Sequence, residues 1–209
     1  MRAPELVAVL LDALPRLATH EDEFRDLDAA LGDGDLGITV RAGANAIVAA
    51  LEQLPGDAPL DQVVKTAGKA FSTANPSTFA ALLGGGLLAG SKTLTGIDSL
   101  DRDEALRFAR TVTDRIAERG KAEVGDKTVL DALVPSLDVL EHATGSPDQV
   151  VTAMAVVARD RVAATAALQS ARGRAAWVGE RGIGHPDAGA TAYAVFLETL
   201  ADALAAHDD

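Results

Sequence analysis

The chain has 209 residues, enough for a substantial hydrophobic core, and we expect a single domain over residues 1–209. Its formal net charge of −12 argues against a general nucleic-acid-binding protein, which usually carries a basic surface. The absence of cysteine excludes disulfides, thiolate catalysis and zinc–thiolate sites. Because no apolar run is long enough to span a bilayer and no signal-peptide pattern is present, the sequence predicts a cytoplasmic protein without membrane contact.

The composition and the apolar periodicity predict an all-α fold. Aromatic residues make up only 3%, and the many alanines and leucines favour packed helices over sheets. In chain order, periodicity and turn residues predict helices at residues 6–17, 21–30, 37–54, 60–73, 79–94, 100–119, 127–142, 147–169 and 189–206. Pro15 is expected to kink or end the first of them. The segment 79–94 is apolar on nearly all sides, which indicates a buried central helix.

The most informative segment is the acidic turn, residues 28–37, between two of these predicted helices. It contains Asp28, Asp33 and Asp35 together with three glycines. Three carboxylates in a small volume force a proton onto one of them unless a cation lies between them. Such oxygens suit Mg²⁺ or Ca²⁺, and Mg²⁺ is usually held by few carboxylates plus phosphate oxygens and water. Since glycines and a helix N-terminus also favour phosphate, the turn predicts a site for a metal with a phosphorylated ligand.

Two other interpretations of the acidic turn stay open at this point. A turn of this composition is often a solvated surface loop, and some acidic turns bind Ca²⁺. The EF-hand pattern is not met, because Thr39 stands where that motif has its twelfth-position glutamate.

Two further segments, residues 119–128 and 172–191, contain more charges and glycines than a simple turn needs. With the acidic turn, they fall at alternate helix junctions, and alternate junctions lie at the same end of an up-and-down bundle. The helix break at residues 75–78 is expected to join them there. Acidic groups, basic side chains and helix N-termini gathered at one end would form a pocket for polyphosphate.

Several residues of these segments also have purely structural interpretations. Arg172 and Arg174 are typical of surface charges or partners of a helix C-terminus. Asp131, four residues after Lys127, fits a helix-surface pair, and Trp177 fits a packing anchor for its loop. A solvated ion-pair network is the simplest interpretation of Lys121, Glu123, Asp126 and Lys127.

Taken together, the three segments resemble the ADP-binding L subunit of dihydroxyacetone kinase and the related nucleotide-binding domain of single-chain dihydroxyacetone kinases. The resemblance rests on Asp28…Gly32-Asp33-Gly34-Asp35-x-Gly37, on RGKAExGDKT at residues 119–128, and on GRA…GERxIGHxDxGAT at residues 173–191. Order and spacing match along essentially the whole chain, which makes the three motifs together highly specific. The resemblance implies an all-α barrel of eight antiparallel up-and-down helices with Mg²⁺ and nucleotide at one end.

The resemblance also implies roles for individual residues. Asp28, Asp33 and Asp35 are expected to hold two Mg²⁺ ions that bridge the phosphates of ADP or ATP. Residues 37–39 are expected at the phosphates, and residues 187–189 are expected to close over the nucleotide. The full set of implied nucleotide contacts is Leu36, Gly37, Ile38, Thr39, Ser77, Thr78, Gly120, Val129, Arg174, Asp187, Ala188 and Gly189. Gly120 and Val129 are expected beside the base.

Two stretches depart from the family pattern. Leu36 stands where many L subunits have histidine. Residues 75–84, with the sequence NPSTFAALLG, replace a glycine- and serine-rich segment that touches the phosphates in the family. Pro76 removes a backbone amide there, and Phe79 replaces a serine-sized residue. Ser77 and Thr78 remain as hydrogen-bond donors at the start of the next helix.

The function implied is phosphoryl transfer to dihydroxyacetone or a related small ketose held on a separate K subunit, which activates the acceptor. No catalytic residue is therefore assigned to this chain. The donor is Mg-bound ATP, or bound ADP rephosphorylated by a phosphotransferase-system protein, and the sequence leaves that choice and the sugar open. The alternative is a regulatory module that binds Mg–nucleotide without turnover, consistent with the altered segment at residues 75–81. A lipid-carrying helical barrel, suggested by the apolar segment 79–94, ranks last.

Overall fold

The computed structural model describes residues 1–207, apart from the side chains of Arg174 and Val178, and these residues form helices and loops. The all-α prediction is confirmed over this part of the chain; residues 208 and 209 of the predicted domain lie outside it. The α-helices are α1 Ala3–Ala18, α2 Glu21–Leu31, α3 Leu36–Leu51, α4 Leu60–Ala74, α5 Thr78–Ser91, α6 Arg102–Gly120, α7 Leu130–His142, α8 Pro147–Thr165 and α9 Ala188–Ala206. Two 3-10 helices, Lys92–Leu94 and Arg174–Gly182, lie between them.

Eight of the described helices form a closed ring. Helix α1 packs against α3, each helix from α3 onward packs against the next, and α9 returns to α1. From α3 onward each ring member is connected directly to the next, by the longer segment 166–187 in the case of α8 and α9, and these helices run antiparallel, as the barrel prediction requires. Helix α2 lies beside the ring, against α3 and α9, and its Phe24 is completely buried in the core.

Two large clusters of buried apolar side chains fill the ring, and a smaller third cluster lies between α1 and α9. One is formed mainly by α1, α3 and α4 and the other mainly by α6, α7 and α8, and α9 contributes to both. Within the described residues, no helix has the combination of length and apolar character needed to cross a membrane.

The prediction that residues 79–94 form a buried central helix is wrong. Helix α5 is one wall of the ring between α4 and α6, and its leucines are only half-buried. Its buried positions are mostly small, because Gly84 lies against α4 and Gly90 lies against Phe108 of α6. The more central helix is α9, in which 11 of 19 residues are buried. A helix that is apolar on all sides can therefore stand in the wall if glycines form its contact faces.

Several predicted helix bounds also differ from the structure. Helix α1 continues through Pro15 and ends at Ala18. Helix α8 ends at Thr165, four residues before its predicted end at Gln169. Helix α7 begins at Leu130, so Lys127 lies in the preceding loop with a φ of 59° rather than in the first helical turn.

Four of the helix junctions meet at one end of the ring, as the alternation predicted. Asn75 Nδ2, between α4 and α5, donates to Thr39 Oγ1 of α3 at 2.7 Å. Ala171 N, between α8 and α9, donates to Asp126 O, between α6 and α7, at 3.0 Å. The chain begins at the opposite end, where the Met1 ammonium group donates to Leu100 O at 3.1 Å.

Candidate metal and nucleotide site

The three aspartates of the acidic turn converge at the junction of α2 and α3. Asp28 lies in the last turn of α2, Asp33 lies in the loop, and Asp35 immediately precedes α3. One carboxylate oxygen of each lies within 4.8 Å of those of the other two. Gly34 reverses the chain between them with a φ of 74°, a conformation that glycine adopts without steric cost. This donor set fits a shared divalent cation, and metal binding by these residues stays a prediction.

Partial burial makes the acidic turn electrostatically unfavourable for charged groups. Burial, and in second place the charge of Asp28, raise the pKa of the Asp35 carboxyl group above its ordinary value. The Asp28 carboxylate accepts a 3.3 Å hydrogen bond from the Leu36 amide at the start of α3. A cation bound between the aspartates would relieve this repulsion, because each carboxylate would then face an opposite charge.

The first turn of α3 presents backbone amides beside the acidic turn. The first N–H groups of a helix have no intrahelical partner, so the amides of Gly37 and Ile38 suit an anion. Gly37 is buried because α2 passes close by: a β-carbon there would lie 2.1 Å from the Glu21 carbonyl oxygen. The Thr39 hydroxyl is also buried and already accepts the hydrogen bond from Asn75, a residue to which the sequence analysis gave no role.

The altered segment after α4 places an aromatic ring at the same end. Ser77 is the N-cap residue of α5, and Thr78 is exposed at the first helical position. Phe79 is half-buried and packs edge-on against Phe71, with ring centroids 6.3 Å apart. It also lies beside Gly189, because a β-carbon on that glycine would be 3.5 Å from the Phe79 ring.

Two of the residues predicted beside the nucleotide base lie in neighbouring helices at this end. Val129 precedes α7, and a β-carbon on Gly189 would lie 3.8 Å from the Val129 Cβ atom. Gly120 is the last residue of α6, and a β-carbon on it would lie 3.7 Å from Leu82 and 3.8 Å from Ala122. The contacts of Gly120, Val129 and Gly189 with a nucleotide stay predictions.

The loop before α7 is organised by Asp131 and Lys127, and not by the expected helix-surface pair between them. Asp131 is buried, and its carboxylate accepts hydrogen bonds of 2.7 Å from the amides of Gly125 and Thr128. Lys127 is only 1% exposed, and its ammonium group donates to Leu168 O and Gly182 O at 2.9 and 2.8 Å. The prediction of that pair is therefore wrong, since the lysine reaches the neighbouring loop instead.

The solvated ion-pair network expected within residues 121–127 is also wrong. Asp126 pairs with Arg172 of the next loop, whose Nε donates to Asp126 Oδ2 at 2.8 Å. This hydrogen bond holds the pKa of the Asp126 carboxyl group below its ordinary value. Arg172 is therefore neither a free surface charge nor a helix C-terminal partner, because it joins two loops of the site.

The segment between α8 and α9, residues 166–187, forms a lid over this end of the ring. Asp187 is the N-cap residue of α9: its carboxylate accepts from Ala190 N at 2.7 Å, and its amide donates to Thr165 Oγ1 at 2.9 Å. Burial raises the pKa of the Asp187 carboxyl group to about 7. Ala188, next in the chain, is buried. The predicted contact made by the side chain of Arg174 lies outside the described residues.

The interpretation of Trp177, a residue of the lid, as a packing anchor is wrong. This side chain is 85% exposed, so it does not hold the loop in place. Four of the five large apolar side chains exposed in the described part of the chain lie at this end of the ring. We call them the apolar rim: Ile38, Val124, Trp177 and Ile183.

Sequence reasoning missed three features of the site: the side-chain contacts of Thr165 and of Asn75, and the role of Asp131 in ordering the loop before α7. For Asp131 a signal exists, because Thr128 and Asp131 have the Thr-x-x-acid spacing of a capping motif. Asn75 and Thr165 contact residues 36 and 22 positions away, and no local pattern marks such pairs.

Comparison with protein families gives a match to the DAK2 domain over residues 30–202 of this chain. Among similar proteins, the L-erythrulose 1-kinase of Mycolicibacterium smegmatis is 33% identical over 97% of this chain, which covers 36% of that protein. The ADP-binding subunit DhaL of the PTS-dependent dihydroxyacetone kinase of Lactococcus lactis is 32% identical over 91% of this chain and 92% of that protein. The chain therefore spans about a third of the erythrulose kinase but nearly the whole of the DhaL subunit.

Solved structures agree with the fold. The dihydroxyacetone kinase of C. freundii in its native form superposes with a TM-score of 0.76 at 25% identity, over 94% of this chain and 34% of that one. The same kinase in complex with AMP-PNP and Mg²⁺ superposes with a TM-score of 0.73 at 24% identity, over 94% of this chain and 33% of that one. With its family match, its full-length similarity to a DhaL subunit and its ring of helices, the chain belongs to the DAK2 domain family.

Proposed function

We propose that this chain binds Mg–nucleotide at the acidic turn and forms the nucleotide half of a kinase that phosphorylates a small ketose. The observation that carries the proposal is the convergence of three aspartate oxygens within 4.8 Å beside the free amides of the α3 N-terminus. Relatives named for ADP binding and for erythrulose and dihydroxyacetone kinase activity support the same reaction class.

In this proposal each part of the site has a separate task. Asp28, Asp33 and Asp35 would hold Mg²⁺, two ions in this proposal, and the first turn of α3 would receive the phosphates. Mg²⁺ held there would supply charge neutralisation and orientation of the phosphoryl group for in-line transfer. The lid and residues 187–189 close over the nucleotide and exclude water from the phosphates. We place this activity in the cytoplasm, where nucleotide donors are abundant.

The acceptor sugar is proposed to be bound and activated by a partner K subunit or domain. The described residues offer no assigned acid or base for the acceptor hydroxyl, and the erythrulose kinase relative is about three times as long as the region it shares. The apolar rim supports a partner at this end, since exposed apolar groups clustered around a site mark an interaction surface. A phosphotransferase-system protein that rephosphorylates bound ADP would use the same open end.

The second candidate, a Mg–nucleotide module without turnover, draws on one specific observation. The Thr39 hydroxyl, an implied phosphate contact, is buried and engaged by Asn75, and Phe79 occupies space beside Gly189. Both features come from the segment that departs from the family pattern. Such a module would bind ADP in the presence of Mg²⁺ but would transfer no phosphoryl group.

Calorimetry with ADP, with and without Mg²⁺, tests the nucleotide site first. We expect binding that requires Mg²⁺, and an affinity independent of Mg²⁺ would contradict the proposed site. Phosphoryl transfer to dihydroxyacetone and to erythrulose is then measured with purified candidate K subunits, using ATP in one arm and a reconstituted phosphotransferase system in the other. Transfer in either arm supports the kinase, whereas Mg-dependent binding without transfer in both supports the module.

A further inference from the structure

A buried lysine ties together the two ends of the lid. The Lys127 ammonium group donates to the carbonyl oxygens of Leu168 and Gly182, 14 residues apart in the chain. Both carbonyls belong to the lid, whereas Lys127 belongs to the loop between α6 and α7. The lysine therefore closes the base of the segment that contains Arg174 and Trp177.

If stability were the only requirement at this position, an apolar side chain would serve as well as lysine or better. Burying an ammonium group costs several kcal/mol unless it is paired, and an apolar side chain of similar volume often serves a core as well or better. Burial lowers the pKa of Lys127, while the charge of Asp187 opposes that shift. The lysine thus also interacts electrostatically with the N-cap of α9, where the predicted nucleotide contacts Asp187 to Gly189 lie.

Between the two tied carbonyls, the lid also contacts the loop before α7 through Ala171 N, which donates to Asp126 O at 3.0 Å, and through the Arg172–Asp126 pair. Gly173 and Gly179 have φ values of 64° and 63°, and a β-carbon on either would meet no atom within 4 Å. The glycines are therefore needed for backbone conformation and not for packing. At the base, Gly184 N donates to Ala166 O at 2.8 Å, and the Asp126–Arg172 pair lies beside it on the exposed side.

We infer that Lys127 is a positioning residue that keeps the lid closed over the nucleotide, an inference that rests on the proposed function. The physical reason is hydrogen bonding: without the ammonium group, the partly buried Leu168 carbonyl loses its 2.9 Å donor and the buried Gly182 carbonyl keeps the longer, 3.4 Å hydrogen bond from His185 N, unless the lid ends separate and admit water. Losing Lys127 therefore favours an open lid. The acidic turn, built from α2 and α3, shares none of these contacts and keeps its geometry.

The test compares the wild-type protein with Lys127→Met and with Lys121→Met as a matched control. Lys121 lies in the same loop and also has a positive φ, 50°, but its side chain is exposed. Hydrogen exchange of the ligand-free proteins is expected to rise roughly tenfold or more in peptides from the lid of Lys127→Met, the size expected for lost charge-assisted hydrogen bonds. Exchange in α3 and α5, and all exchange in Lys121→Met, should match the wild type.

A nucleotide measurement separates lid closure from general loss of structure. In stopped-flow experiments with fluorescent ADP and Mg²⁺, Lys127→Met should release nucleotide at least tenfold faster while the association rate changes less than twofold. If Lys127→Met fails to fold, Lys127→Gln is measured instead. Because glutamine keeps an N–H donor, nucleotide release should be faster than in the wild type but less than tenfold faster. Lid exchange at the wild-type rate in both Lys127→Met and Lys127→Gln would overturn the inference. Faster lid exchange with an unchanged rate of nucleotide release would also overturn it. If the wild-type protein binds no ADP, the proposed function is refuted instead. The role of Lys127 in holding the lid is then tested by hydrogen exchange alone.

Discussion

At the scale of single residues, the site is defined by carboxylates whose surroundings differ. The pKa of the Asp35 carboxyl group is raised by burial and by Asp28, and that of Asp187 is raised by burial to about 7. Asp126, in contrast, has a lowered pKa because Arg172 donates to it. Carboxyl groups with raised pKa values, clustered at one end of a protein, are typical of a site that binds a cation or a proton.

Replacing Asp33 or Asp35 with alanine should abolish Mg-dependent ADP binding. The reason is that each variant removes one of the three oxygens that converge within 4.8 Å. The helical circular dichroism should stay that of the wild type, since these side chains are not part of the apolar core. Calorimetry measures the affinity, and Asp57→Ala, which removes an exposed carboxylate outside the acidic turn, is the control. Full affinity in Asp33→Ala or Asp35→Ala would show that the metal assignment is wrong.

The raised pKa of Asp187 predicts a specific pH dependence of stability. The carboxyl group ionises near 3.8 in the unfolded chain but near 7 in the folded protein, so the folded state holds the extra proton between these values. The free energy of unfolding should therefore fall as the pH rises from about 4 to about 7. Asp187→Asn keeps an oxygen for the Ala190 amide and should flatten this fall, leaving the metal-free variant about 2–4 kcal/mol more stable at pH 8.

Urea unfolding of the metal-free proteins at pH 5 and pH 8 measures this difference. Asp126→Asn is the control: the lowered pKa of Asp126 stabilises the folded protein fully above its unfolded value of 3.8, so the stability difference between this variant and the wild type should be the same at pH 5 and pH 8. Equal slopes for Asp187→Asn and the wild type would contradict the assignment of the raised pKa.

At the scale of helices, glycines set how closely neighbouring elements approach. Gly37 allows α3 to pass the backbone of α2, and Gly84 allows α5 to pass Ser72 of α4, where a β-carbon would lie 2.5 Å from the Ser72 Cβ atom. The acidic turn depends on the first of these contacts, because Asp28 lies in the last turn of α2 and Asp35 immediately precedes α3. Close helix packing and the geometry of the metal ligands are thus coupled.

Gly37→Ala should destabilise the protein and weaken Mg–ADP binding together. Its methyl group would lie 2.1 Å from the Glu21 carbonyl oxygen, and neither backbone can move without displacing α2 or α3. Overpacking of this kind costs about 1–3 kcal/mol or more. Thermal unfolding and ADP calorimetry measure the two effects. Gly56→Ala, whose β-carbon meets no atom within 4 Å, should leave both unchanged; a similar result for Gly37→Ala would refute the coupling.

At the scale of the whole molecule, the antiparallel ring brings four helix junctions to one end. The Asn75 segment donates to Thr39 in the first turn of α3, directly after the acidic turn, and the Lys127 loop shares hydrogen bonds with the lid. The apolar rim surrounds this end, while the rest of the described surface exposes only one other large apolar side chain, Val156 of α8. This distribution favours a partner that approaches the site end-on.

Trp177→Ser should lower phosphoryl transfer with the partner subunit while Mg–ADP affinity stays unchanged. The side chain is 85% exposed, so its removal costs little within the free chain but removes apolar area from a docking surface. We expect a loss of kcat/KM for the partner of roughly tenfold or more. Val156→Ser, an exposed apolar residue far from the rim, should leave transfer unaltered. Equal losses in the two variants would argue against docking at the rim.

The periodicity of the chain was sufficient to predict most of the helices, whereas the barrel they form was implied by the family resemblance. Apolar residues at helical spacing and strong breakers such as Pro55-Gly56 act over a few residues, so their effect is readable locally. The crowding of Asp28, Asp33 and Asp35 was readable for the same reason, since all three lie within eight consecutive residues. Sequence alone therefore determined the all-α class, the end at which the junctions meet and the candidate metal ligands.

Only the tertiary structure decided which partners the other polar residues take. Lys127 binds carbonyls 41 and 55 residues away, Asp126 pairs with Arg172, and Asn75 engages Thr39, contacts that the chain makes only after the ring has closed. The position of α5 was also decided only by the tertiary structure. Its apolar sequence fits the centre of the ring or the wall of the ring equally well. Hydrogen bonds and burial at long sequence separation depend on the packing of whole helices, and local patterns do not encode that packing.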